Sequence, residues 1–264
     1  MKKLIYTFLV LMMILPSAPS FGWGAREHAA IAIIAERHLT PTAKAKVDEL
    51  LDGKSMEYYA SWLDKYRKQM LITYVNRKGE TKTRTIPHTM RADKKHFVVE
   101  RPRTEAISII CESIEQLKDY QSLNDSTRLA AMQCIIHLVG DIHCPSHVRF
   151  ADKLAKAPKV MFYGKKMGMH RVWDSALLRK THPGKAVDLA DAADITKKKQ
   201  IKRIQAGTPY DWGQDIINRI SIAWPVEENQ EIGDRYVKEM GKMPIDQIRR
   251  AGLRLAKVMN DLFN

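Results

Sequence analysis

The chain has 264 residues, enough for one large domain or two small ones, and a formal net charge of +14 at pH 7. That charge suits a polyanionic partner such as nucleic acid, anionic lipid or a cell-surface polymer. Lys197-Lys198-Lys199 lacks aromatic interleaving and reads as a solvated helix face, and three cysteines (Cys111, Cys134, Cys144) exclude a fully paired disulfide framework.

The first 22 residues read as a cleaved secretory signal peptide. Lys2 and Lys3 form a charged start, residues 4–15 an apolar stretch too short to span a bilayer comfortably, and residues 16–22 a small-residue segment. Ser20 and Gly22 place cleavage between Gly22 and Trp23. The expected location is secreted or periplasmic, with no stable membrane anchor, and the expected state is a monomer.

Helical patterning dominates the chain from Trp23 onward. Residues 26–39 are amphipathic, and Thr40-Pro41 restarts a helix that runs to Leu51 and closes at Gly53. A helix is expected over 56–70, then an irregular excursion over 71–103 punctuated by Pro87 and Pro102. Residues 105–120 are helical. Asp125-Ser126 caps a long apolar helix to His143, which Pro145 ends. Val160 to Tyr163 followed by Gly164 is the one good hairpin candidate. Helices follow over 172–180, 187–205, 210–223, 234–240 and 244–263. The simplest reading is one mainly α-helical domain over 23–264 with one short β-hairpin.

Chemistry concentrates at a few positions. His137 and Asp141 are four apart, which puts both side chains on one helix face, one turn from each other. His170 and Asp174 repeat the spacing, and His147 lies just past the helix-stopping Pro145. One such pair is ordinarily a hydrogen-bonded core pair. Two pairs plus His147 fit metal better, because the helix around His137 is otherwise apolar and must satisfy any polar group it buries. His28 lies five residues after the expected new N-terminus, whose amine and carbonyl at Trp23 can chelate a metal once the amine loses its proton. Cys111 and Cys134 stand on apolar helical faces as buried thiols or as a pair. Cys144 sits between metal-spaced histidines as an extra donor that the cluster does not need.

The motifs Trp23-Gly…His28, Ala60-Ser-Trp-Leu-Asp64, His96-Phe-Val98, His137-Leu-Val-Gly-Asp-Ile-His-Cys-Pro-Ser-His147 and His170-Arg-Val-Trp-Asp174 resemble the zinc-dependent single-strand nucleases of the S-one/P-one type. That family shares its mainly helical fold with zinc-dependent bacterial phospholipases C. The resemblance runs from Trp23 to the last helix, with Ala251-Gly-Leu-Arg-Leu-Ala256 and Asn260. It implies three zinc ions. Asp64, His96, His137 and Asp141 would hold one. The Trp23 amine and carbonyl, His28 and a bridging Asp141 would hold a second, and His147, His170 and Asp174 a third. It further implies a zinc-bridging hydroxide as nucleophile, with Asp64 and Asp141 as catalytic carboxylates. Arg67 would orient Asp64 or meet the phosphate, a surface ion pair being its bland alternative. Single-stranded RNA and DNA, and 3′-nucleotides, would yield 5′-phosphate products.

The departures from the family pattern concern substrate grip. An acid that often follows the His-Phe-aliphatic motif is Val99 here, with Glu100 next. A family Gly-Gly-Asn reads Leu154-Ala155-Lys156, and an Asn before the second-helix histidine reads Gly168, shifted by Met169. Phe97 remains as a stacking surface or a core aromatic. His143 is expected to pack or to make a hydrogen bond behind the metals, and His88, in the irregular excursion, to face solvent, with an approach to the cleft as its alternative. Two other readings stay open: a zinc phospholipase C on the same scaffold, and an exported zinc-binding protein without catalysis.

Overall fold

The computed structural model describes residues 23–76, 78–151, 158–195, 197–220 and 226–264. The expected signal segment, the 154–156 loop and the end of the 210–223 helix lie outside these residues. The chain opens with α1 (Ala25–Arg37), α2 (Pro41–Leu50), α3 (Met56–Tyr59) and α4 (Trp62–Tyr66). The expected 56–70 helix is therefore broken at Ala60 and Ser61 and finishes as a 3-10 turn, Arg67–Gln69. That break exposes a backbone carbonyl which the site uses.

The 71–103 segment is more ordered than expected. Strands β1 (Leu71–Val75) and β2 (Thr81–Thr85) form an antiparallel hairpin, and β3 (Met90–Ala92) comes next. Its strand character is hidden in the sequence because no face is buried: Leu71 and Val75 are exposed apolar residues and β2 reads Thr-Lys-Thr-Arg-Thr. Helix α5 (Ala106–Lys118) then packs along α6 (Asp125–Asp141). The side chain of Asn124, one residue before the expected cap, accepts from Thr127 N at 2.9 Å. From Ala131 to Asp141 every residue of α6 is buried, as expected for a helix apolar on all sides.

Strand β4 (Val148–Phe150) follows His147 directly and pairs in parallel with β3. The expected hairpin is present as β5 (Lys159–Phe162) and β6 (Lys165–Gly168). Its two-residue loop has positive φ at Tyr163 and Gly164, the mirror-image turn that matches strand twist. Next come α7 (Met169–Arg171), a π turn at Val172–Ala176, α8 (Leu177–Thr181), α9 (Ala186–Ala193), α10 (Lys198–Gln205) and α11 (Pro209–Ile220). The expected 187–205 helix is thus two helices. Short β7 (Glu231–Ile232) adds in parallel to β5, before α12 (Asp234–Met240) and α13 (Lys242–Phe263). The protein is mainly α, with more sheet than the single hairpin expected.

Helices α1, α6 and α13 form the centre. A Cβ on Gly252 of α13 would lie 2.6 Å from Ile34 Cβ, so glycine sets how closely α1 and α13 approach. Among the described residues no helix is long and apolar enough to cross a membrane.

Candidate metal centre

Four elements deliver the side chains picked out by spacing. Helix α1 carries His28 and α6 carries His137 and Asp141. The turn after α6 carries His147, and α7 with its π turn carries His170 and Asp174. All but the half-buried His170 are essentially inaccessible to water. The approach of α1 to α6 depends on Gly140, where a Cβ would stand 2.8 Å from His28 Nδ1. With no side chain there, the His28 and His137 rings stack 4.2 Å apart. The π turn is the kind of local widening that recurs at functional sites, and it leaves His170 Nε2 3.4 Å from Asp174 Oδ2.

Two tight groups result. In each, one donor atom per residue lies within 4.8 Å of the others: His28, His137 and Asp141 in the first, His147, His170 and Asp174 in the second. Asp141 joins them. Its Oδ1 is 3.4 Å from both His28 Nε2 and His147 Nδ1, and its Oδ2 is 3.1 Å from His137 Nε2. Half-buried Asp64 adds an oxygen 3.7 Å from His137 Nε2. His96 lies outside both groups. It sits at φ 63° in the turn after β3, its ring edge-to-face with Phe150 at 4.9 Å, and Gln214 Nε2 donates to its carbonyl. Trp23 is fully buried beside the cluster, and Gly24 N donates to the Asp174 carbonyl at 3.0 Å.

Zinc fits this donor set on one observation above all. Among the described residues, both ring nitrogens of His28 and of His147, His137 Nε2 and both oxygens of Asp141 are buried and lack a hydrogen-bond partner. So many buried orphans are costly unless they share another partner. Of these, His28 Nε2, His137 Nε2 and His147 Nδ1 stand 3.1–3.4 Å from the Asp141 oxygens, nitrogen and oxygen donors of the kind zinc takes.

The supporting groups are placed to orient them. His137 Nδ1–H donates to the Ala60 carbonyl at 2.8 Å, which fixes the tautomer and turns Nε2 toward Asp141. Ser146 Oγ donates to Asp174 Oδ1 at 2.6 Å, which leaves Oδ2 toward His170. Cys144, a donor the cluster does not need, lies fully buried with its thiol 3.5 Å from Asp174 Oδ1. Burial pushes that thiol well above its usual range, so the sulfur is a hydrogen-bond donor. All three cysteines are free thiols.

Burial also lowers the His147 pKa to about 3, which keeps the imidazole neutral with a lone pair to give. Burial opposes the charged form of His137 too, but the Asp141 carboxylate overcomes it and raises that pKa to about 9. His143 is buried behind the cluster, as expected. Its Nδ1–H donates to the Val139 carbonyl at 2.7 Å, and Nε2 accepts from Arg254 Nη1 at 2.9 Å.

The site includes one residue that sequence patterning assigned to solvent. His88, between β2 and β3, is half-buried, its ring edge-to-face with His147 at 5.0 Å and its Nδ1 against Arg67 Nη1. The correction is topological. Parallel pairing of β3 with β4 draws the excursion beside His147, and no periodicity in the sequence announces that pairing. Arg67 is itself half-buried, and burial lowers its pKa against the opposing pull of Asp141 and Asp64. Phe97 is 58 % exposed, so its core reading fails, and Glu100 is also exposed.

The family profile described as S1/P1 Nuclease matches residues 23–264. Endonuclease 2 of Arabidopsis thaliana is 26% identical over 291 residues, covering 98% of this chain and 97% of the relative. Nuclease P1 of Penicillium citrinum is 24% identical over 285 residues (91% and 97%) and nuclease S1 of Aspergillus oryzae 24% identical over 216 residues (78% and 71%).

Proposed function

The chain belongs to the S1/P1 nuclease family, a zinc-dependent endonuclease acting on nucleic acid, and from that premise we propose a trinuclear enzyme that cuts single-stranded RNA and DNA, and 3′-nucleotides, to 5′-phosphate products. Three zinc ions would be held by the sets that the family resemblance implies. Asp141 would be shared by the first two sets, and His147, His170 and Asp174 would hold the third. The observation that carries this reading is the convergence of buried, unpaired nitrogen and oxygen atoms on the two sides of Asp141.

Bound zinc supplies a nucleophilic hydroxide near neutral pH and Lewis-acid stabilisation of the charge that develops on phosphate. The protein's own groups do the rest. Asp141 and Asp64 hold negative charge where cations must sit side by side. The Ala60 carbonyl and the Ser146 hydroxyl lock His137 and Asp174 in register, so little reorganisation remains for the reaction. Arg67, half-buried near both carboxylates, offers its planar fork to a phosphate oxygen. Phe97 presents a stacking face that tolerates any base. Glu100, also exposed, would meet a base edge.

His96, on the turn after β3, would join this reading as the further ligand that the family resemblance implies. Removal of residues 1–22 is part of the same reading. A chain that starts at Trp23 has the free amine that completes the second ligand set, and it acts as a secreted or periplasmic monomer.

Digestion of single-stranded RNA and DNA by protein beginning at Trp23 tests this, with zinc, after chelation and with zinc restored. Release of 5′-mononucleotides that stops on chelation and returns with zinc is expected. Protein verified to hold zinc that releases nothing contradicts it and turns attention to phospholipid phosphodiesters.

A further inference from the structure

A polar cavity of about 550 Å3 opens between α10, α11 and α13, away from the metal centre. Four arginines line it, Arg203, Arg219, Arg250 and Arg254, against two carboxylates, Asp211 and Asp215. Asp211 is committed to the start of α11, where its Oδ2 accepts from the Thr208 amide and hydroxyl at 2.8 Å each. Asp215 alone faces three guanidinium groups. Arg254 Nη2 donates to it at 2.8 Å, Arg219 Nε at 2.9 Å and Arg250 Nη1 at 3.2 Å.

The inner half of this cavity is fixed. Arg254 is 3% exposed, and its other nitrogens donate to the Ile204 carbonyl and to His143 Nε2, so it is tied to the end of α6. Arg250 is held through Nε by Asp246 at 2.7 Å. The outer half is not. Among the described residues, the terminal nitrogens of Arg219 make no hydrogen bond, and Arg203 makes no hydrogen bond or ion pair. Both are exposed at the mouth. Arg249 also pairs with Asp246, at 3.3 Å, and offsets its charge, so the site has two positive charges in excess and spare donors at its entrance, in a volume within the range of small-ligand sites.

We propose that this cavity is a binding site for a phosphate monoester dianion, separate from the metal centre. Guanidinium forks match the oxygen geometry of phosphate, and a doubly charged terminal phosphate balances the two excess charges where a diester brings only one. The site reads the phosphate and not a base. Trp212, the cavity's one aromatic, is 2% exposed and has the Arg254 guanidinium 5.5 Å from its ring centre, so no stacking face is on offer.

The test is calorimetric titration of the zinc-loaded protein with inorganic phosphate and, separately, with dimethyl phosphate. A second titration uses the double variant Arg203→Ala/Arg219→Ala. Phosphate bound at the metal centre is common to both proteins. The expected result is one phosphate-binding event that weakens at least ten-fold in the variant, with zinc content and oligonucleotide hydrolysis unchanged. Dimethyl phosphate should bind this site at least ten-fold more weakly than phosphate. Identical phosphate isotherms in the two proteins overturn the site, as does a variant that loses thermal stability but no phosphate binding. Arginine-dependent binding of dimethyl phosphate as tight as that of phosphate makes the cavity a backbone-diester contact and overturns the monoester assignment. If the double variant does not fold, Arg203→Gln removes an exposed side chain with no partner to lose, and the same criteria apply. Binding is read without hydrolysis, so failure of the nuclease reading leaves this result standing, and the reverse.

Discussion

Asp141 is fully buried, with three imidazole nitrogens within 3.4 Å, whereas Phe97 is 58 % exposed and Glu100 stands in solvent. The two regions are specified by opposite means. In the cluster, position comes from helix packing: α1 laid on α6 at Gly140, and i, i+4 pairs on α6 and across α7 and its π turn. At the rim, position comes from β3 pairing with β4 and from an exposed hairpin. A change in the first is felt through fold and metal together. A change in the second is felt by substrate alone.

The largest expected effect breaks the cluster at its shared member. Asp141→Asn removes the charge that faces both groups. It should abolish zinc retention in the first pair and cost several kcal/mol of transition-state stabilisation, about a thousand-fold or more in rate. Metal analysis beside a hydrolysis assay reads both; full zinc occupancy would show that Asp141 is not the bridge.

Next comes the packing that delivers His28. In Gly140→Ala the new methyl would meet His28 Nδ1 at 2.8 Å. Overpacking of this kind costs about 1–3 kcal/mol, and α1 must shift from α6. Thermal stability should fall and zinc affinity with it, although no ligand has been altered. A variant with a lower Tm but unchanged zinc affinity would separate packing from ligand delivery.

The rim should behave in the other way. Phe97→Ala should raise KM for single strands by the worth of one base stack, about 1–3 kcal/mol, with zinc content and Tm unchanged. His88→Ala should slow hydrolysis, also with zinc content unchanged, since its partner is Arg67 rather than a ligand set. Loss of zinc from His88→Ala would place that residue in the cluster and erase the distinction.

The smallest effect lies outside both regions and calibrates them. Glu105 is 2% exposed, and burial raises its pKa from 4.5 to about 7, against the pull of Arg91, Arg84 and Arg149. An acid whose pKa is higher folded than unfolded binds more protons in the folded state between these values. Its contribution to stability therefore falls as pH rises from 4.5 to about 7 and is flat above. Glu105→Gln should remove that slope, so its Tm advantage grows across this window by a few degrees and then holds. A constant difference from pH 5 to 8 would refute the assignment.

The cluster was legible in the sequence for physical reasons. His137 and Asp141 on an apolar helix must be satisfied by something, and helical spacing alone states that they share a face. The long helices were legible for the same reason, to within two residues for α5 and α6. His88 was not, because its place depends on strand pairing between residues some sixty positions apart, Met90 with Val148. The β1–β2 hairpin was hidden because neither of its faces is buried, so alternation is absent. Ser146 and Ala60 were invisible as orienting groups, since one acts through a single hydroxyl and the other through its backbone.

The most direct test of the central claim is zinc-edge anomalous diffraction from the chain beginning at Trp23. Three peaks are predicted, two on either side of Asp141 and a third among His147, His170 and Asp174, with neither His88 nor Cys144 as a ligand. Fewer peaks in zinc-saturated crystals, or a peak ligated by His88, would contradict the account of a closed buried cluster beneath a separate, substrate-reading rim.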